Sequence, residues 1–186
     1  MYQFETLNMD TVKSFFIVEF KTIATGYLMV NSLVQKFNPE VIEIFSQAPA
    51  KLIFLFETTK TKEVLAAFKK NKKNILDFYN CIGDHKNLLN ALYGHIKPVL
   101  IESVIVIESK TLASCFRLVK LACDNPNIKI LEIDSGRAMN GRAIAFLTGP
   151  KAACENFKAQ AKHKNTFCEV LNEMPLAVKS QWAAQG

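Results

Sequence analysis

A chain that repeats itself must be read as one structural unit built twice, because neighbouring copies adopt the same pattern of elements. Residues 14–46 and 103–135 of this 186-residue sequence align without a gap, at the constant offset that separates Ser14 from Ser103. The identities are Ser14/Ser103, Glu19/Glu108, Lys21/Lys110, Thr22/Thr111, Ala24/Ala113, Asn38/Asn127, Glu43/Glu132, Ile44/Ile133 and Ser46/Ser135. Apolar character also matches at Phe16/Ile105, Val18/Ile107, Val41/Ile130 and Ile42/Leu131. Chance supplies two or three such matches, so the chain is a duplication.

Each copy reads alike. Phe15–Phe20 and Val104–Ile107 are short β-branched or aromatic runs, which predicts buried strands. A helix follows, spaced by Ile23, Tyr27, Val30 and Val34 in the first copy and by Leu112, Cys115, Leu118, Val119 and Ala122 in the second. Asn38-Pro39 and Asn125-Pro126-Asn127 end those helices, since proline and the residue before it resist helical continuation. Strands are predicted at Val41–Phe45 and Ile128–Ile133. After the loops Ser46–Ala50 and Ser135–Gly141, further strands are predicted at Leu52–Phe56 and Ala143–Leu147. A second helix opens near Thr59 as N-cap in the first copy, and with Pro150 at its first position in the second. The expected class is α+β, each unit a β-α-β-β-α succession whose mainly antiparallel sheet carries helices on one face. Gly94-His95-Ile96-Lys97-Pro98 reads as a linker, giving domains at 1–95 and 96–186.

Composition narrows the functions. The net charge of +6 calls for testing polyanions as partners. The lysines at 60, 62, 69, 70, 72 and 73 are interrupted by Val64-Leu65-Ala66-Ala67-Phe68, the pattern of a solvated amphipathic helix ending in cations rather than a nucleic-acid patch. Five cysteines with no CxxC pair, and an N-terminus without a signal peptide, point to the reducing cytosol. No apolar run is long enough to cross a membrane. No phosphate-binding glycine loop and no metal-spaced His/Cys cluster is present. None of His85, His95 and His163 has the partners of a nucleophilic triad, and His85 beside Asp84 reads as structural. The expectation is that the chain is not an enzyme.

The order Lys-Thr-x-Ala, amphipathic helix, Asn-x-x-Val/Ile strand, Gly/Pro loop followed by Lys51 or Arg142, strand, and glycine-opened helix resembles the bacterial microcompartment shell domain, a ferredoxin-like variant. Two copies in one chain resemble the tandem, trimeric class, of the kind found in propanediol-utilisation compartments. The resemblance spans about residues 14 to 182 and includes Asp77–Leu92 as the family's post-domain segment. It implies a homotrimer with six lobes, a pseudohexamer. Such discs meet other shell proteins at tile edges and pass small metabolites through a central pore. Carried over by position, the pore lining is Gln47, Ala48 and Pro49 in the first copy, and Arg137, Ala138, Met139 and Asn140 in the second. If Arg137 points inward, three of them favour anionic metabolites.

The departures are specific. Relatives that hold an iron–sulfur cluster on the axis carry a cysteine where this chain has Ala48, and alanine offers no ligand atom. No cofactor and no metal is therefore expected. The family's Asp and Lys on the first helix, four residues apart, are replaced by Asn31 and Gln35 in one copy and by Lys120 and Asp124 in the other. The competing readings are a basic ferredoxin-like nucleic-acid-binding protein, whose binding would fall steeply with salt, and a regulatory protein on the same fold.

Overall fold

The computed structural model describes residues 12–83, 85–97, 99–137, 140–161 and 166–175. Chain contacts divide it into two compact units, residues 1–46 with 52–85, and residues 47–51 with 86–186.

The first unit begins with β1 (Ser14–Phe20), every residue of which is buried. A strand covered on both faces shows no alternation, which is why the run SFFIVEF is apolar throughout except at Ser14 and Glu19. The next element, α1 (Ile23–Phe37), starts where the Thr22 hydroxyl accepts the Thr25 N–H at 3.3 Å. It ends at Asn38, whose φ of 46° is left-handed, just before Pro39. Then come β2 (Glu40–Gln47), β3 (Lys51–Thr58), α2 (Thr61–Lys70), a single 3-10 turn and β4 (Ile75–Ile82). The sheet order is β2-β3-β1-β4, with β1 antiparallel to both β3 and β4.

Alternation puts Phe16, Val18, Phe20, Leu52, Phe54 and Phe56 on one face, where they pack with Val30, Leu33 and Phe37 of α1 and with Val64 and Phe68 of α2. Phe16 and Phe56 stack with centroids 5.1 Å apart, and Phe68 meets Phe16 edge-on at 5.9 Å. At Gly26 a Cβ would lie 2.6 Å from that of Leu52, so glycine sets how closely α1 approaches the sheet. Behind the sheet His85 stacks on Phe15 at 4.7 Å. Its Nε2 lies 2.5 Å from Glu57 and its Nδ1 lies 2.9 Å from the Gly83 carbonyl. The histidine is therefore a buried tie holding the turn after β4.

The second unit contains α3 (Lys86–Leu92), β5 (Ser103–Ser109), α4 (Leu112–Cys123), β6 (Lys129–Asp134), β7 (Ala143–Gly149), α5 (Lys151–Gln160) and β8 (Thr166–Leu171). Its antiparallel sheet runs β6-β7-β5-β8, the order of the first sheet repeated. Thr111 caps α4 by accepting from the Ser114 N–H at 3.1 Å, as Thr22 caps α1, so this identity of the two copies is a helix start. The strand registers confirm the duplication. Ser14 faces Thr58 in β1–β3, and Ser103 faces Gly149 in β5–β7. Positions before the hairpin loop thus match at the Ser14/Ser103 offset, and those after it match two residues further on. The second loop is longer by that amount.

Two local expectations shift. The helix expected from Thr59 begins at Thr61, because the Thr58 hydroxyl accepts the Lys60 N–H at 3.0 Å and holds the chain in a turn first. Pro150 sits just before α5 rather than at its first residue. Each sheet also has a fourth strand, β4 or β8, where the sequence shows only a trailing segment.

Candidate functional site: two hairpin loops held together

The hairpin loops of the two copies are brought together within the second unit, to which Gln47–Lys51 belongs. Gln47 ends β2 with its side chain buried, and its amide donates to the Ser135 carbonyl at the start of the second loop. Lys51 opens β3 and is only 6% exposed. Its ammonium donates to the Gly141 carbonyl at 2.9 Å and to the Lys110 carbonyl at 3.0 Å. A buried ammonium costs much free energy unless dipoles replace its lost water, and these carbonyls supply them.

Glycine is required at two places in the second loop. Gly136 and Gly141 both have φ of +80°. A Cβ on Gly141 would stand 2.0 Å from the Ala48 carbonyl oxygen, and one on Gly136 would stand 1.9 Å from that of Arg142. Both obstacles are backbone, which cannot rotate away. The loop is fastened further by the Gly136 N–H donating to Asp134 at 2.6 Å and the Gly141 N–H donating to the Gly136 carbonyl at 3.2 Å.

The residues picked from sequence divide accordingly. Ala48, Pro49, Arg137 and Asn140 are exposed at the loop surface. Gln47 is not; it is turned inward and positions the loop. Ala138 and Met139 lie outside the described residues. Lys51 and Arg142, equivalent by position, behave differently. Lys51 is buried, while Arg142 pairs with Glu108 in a half-exposed ion pair. On α4, Lys120 pairs with Asp124 one turn on, at 2.5 Å.

No cluster of three or more His, Cys, Asp or Glu could hold a metal among the described residues. None of the five cysteines is in a disulfide. Burial pushes the thiols of Cys123 and Cys168 up to about 11, and also raises that of Cys154, so at neutral pH all three are held as poor nucleophiles. None lies in either loop. No helix among the described residues is long and apolar enough to cross a membrane. The sequence carried no sign that Lys51 would be buried, nor that Gly141 would meet Ala48. Both depend on contacts between segments some ninety residues apart.

No family model and no curated protein matches this chain. Two chlorite dismutase structures, one from Candidatus Nitrospira defluvii, align at 11% identity with TM-scores of 0.30 and 0.28, values without bearing on the fold. A microcompartments protein from Desulfitobacterium hafniense DCB aligns at a TM-score of 0.68 with 20% identity, covering 92% of this chain and 99% of that one. The chain has, over nearly its whole length, the α+β fold of a microcompartment protein.

Proposed function

We propose that this chain is a structural shell protein of a bacterial microcompartment. Three copies form a pseudohexameric ring, and small metabolites pass through its central opening. The observation that carries this reading is the fastening of both hairpin loops to each other by Lys51, Gln47 and the Gly141–Ala48 approach. A loop meant only to connect two strands needs no buried cation to fix it. A loop that presents a defined rim does, since selectivity by size and charge demands fixed atoms.

The exposed Ala48, Pro49, Arg137 and Asn140 then form the rim, while Gln47 and Lys51 hold it from behind. Three copies of Arg137 around one axis favour anionic solutes through the focused positive field. With Ala48 at the first loop's tip, no thiolate faces the axis and the aperture serves passage rather than electron transfer. Tile-edge contacts with other shell proteins belong to the same reading, and the location is the compartment shell within the cytoplasm.

Sedimentation equilibrium of the unmodified chain tests the assembly. The expected mass is three times the 20.9 kDa of one chain. A monomer or a dimer across the micromolar range overturns it.

A further inference from the structure

Away from the loops, the first unit buries a histidine against a carboxylate, and the geometry counts the protons between them. The His85 side chain is 10% exposed and that of Glu57 19%. Nδ1 of His85 lies 2.9 Å from the Gly83 carbonyl oxygen, which can only accept, so Nδ1 carries a hydrogen and donates it. Nε2 lies 2.5 Å from Glu57 Oε1. In a neutral ring Nε2 would turn a lone pair toward an ionised carboxylate, two acceptors face to face. A hydrogen therefore lies between them, one more than a neutral imidazole and a carboxylate bring.

The surroundings place that proton on the ring. Phe15 presents its face to the imidazole, with centroids 4.7 Å apart and planes 13° from parallel, the stacking that suits a cation. Lys13, just ahead of β1, has its ammonium 3.7 Å from Glu57 Oε2 and also bonds Glu40 of β2. It holds the charge on Glu57 and leaves the proton to the ring. From β4 the titratable residue opposite Phe15 is Cys81, and Lys86 follows the histidine at the start of α3. The second copy fastens the same place without charge. Its register sets Thr148 opposite Val104, as Glu57 stands opposite Phe15. The Thr148 hydroxyl donates to the Ser103 carbonyl at 2.9 Å and accepts the Ile101 N–H at 3.0 Å, bonds that involve no titrating group.

We propose that His85 is a proton-operated latch: as an imidazolium it ties the turn after β4 to Glu57 of β3, and loss of its second ring proton releases that turn. The first unit ends at His85, so the latch acts where the chain leaves that unit. Without the proton, Nε2 and Glu57 repel each other and only the Nδ1 bond remains. The unfolded chain makes no such demand on the ring. The latch therefore contributes stability while the proton is bound, and that contribution is lost as pH rises.

Nitrogen NMR of the histidine rings tests this in the full chain from about pH 5 to about pH 9, across the range in which histidines titrate. The His85 signals are identified by their loss in His85→Phe. Amide hydrogen exchange is read beside them, as the rate at residues 80–82, the end of β4, relative to residues 16–18 of β1, a ratio in which base catalysis of exchange cancels. Two ring N–H signals are expected for His85 at the acidic end and one at the basic end. The exchange ratio is expected to rise about tenfold or more as the second signal disappears. Glu57→Gln offers a side-chain N–H to a neutral Nε2. That variant is expected to keep the turn fastened with one ring N–H and an exchange ratio that no longer responds to pH. A His85 ring with one N–H throughout the range, or with two throughout, overturns the proposal. So does loss of the second N–H with no change in the exchange ratio, or a Glu57→Gln chain whose ratio climbs with pH as the parent's does. If Glu57→Gln does not fold, the parent's spectra and exchange ratio decide alone.

Discussion

Replacing Gly141 by alanine separates the two reasons for glycine there, backbone freedom and lack of room. Gly94 is the comparison. It too has positive φ, +69° against +80°, but a Cβ on it would meet nothing within 4 Å, whereas on Gly141 it would lie 2.0 Å from the Ala48 carbonyl oxygen. Gly94→Ala is thus expected to cost only the left-handed penalty of an L residue, about 1–2 kcal/mol. Gly141→Ala bears a similar penalty and must also open the loop by more than ~1 Å to reach ordinary contact distance. That movement takes the Gly141 carbonyl away from the Lys51 ammonium, now 2.9 Å off. A hydrogen bond to a charged group contributes about 1.5–3 kcal/mol. The sum is about 2.5–5 kcal/mol. With a urea slope of ~2 kcal/mol/M, the unfolding midpoint should fall by roughly 1.2–2.5 M for Gly141→Ala and by roughly 0.5–1 M for Gly94→Ala. Circular dichroism in urea reads both. Equal shifts for the two variants would refute the close approach of the loops.

Phe56→Ala removes a ring stacked on Phe16 and Phe54 in the first core and should cost about 3–5 kcal/mol, read as an earlier urea midpoint. Thr22→Ala and Thr111→Ala each remove one helix cap and should cost about 1 kcal/mol apiece, seen as faster amide exchange in the first turns of α1 and α4. The Cys123 thiol, held at about 11 rather than 9.0 by burial, should be alkylated by iodoacetamide at pH 8 about a hundredfold more slowly than in the unfolded chain. The sign for stability follows. The unfolded thiol ionises first, so the folded state is favoured in full below pH 9 and loses that contribution as pH rises toward 11. Mass-spectrometric labelling and urea unfolding at pH 8 and pH 10.5 measure the two effects.

Much of the fold was legible because its signals are local. The capping threonines at 22 and 111, the helix-ending Asn-Pro pairs and the apolar runs of β1 and β5 each act within a few residues, and the repeat counts them twice. β4 was not legible. Ile75 and Tyr79 are buried, but apolar Leu76 and Ile82 are exposed and the residues between are half-buried, so neither an alternating nor a continuous apolar pattern emerges. The loops were found as loops, and their exposed members were named. Their fastening was invisible, because nothing near Lys51 or Gln47 in the sequence shows the carbonyls of Gly141, Lys110 and Ser135 that receive them.

Averaged electron-microscope images of the unmodified chain bear most directly on the proposal that the paired loops border a shared opening. A three-fold ring of six lobes, with the turns at 48–50 and 137–140 facing the hole, is the predicted result. Isolated two-lobed particles, or rings carrying those turns on the outer rim, would contradict it.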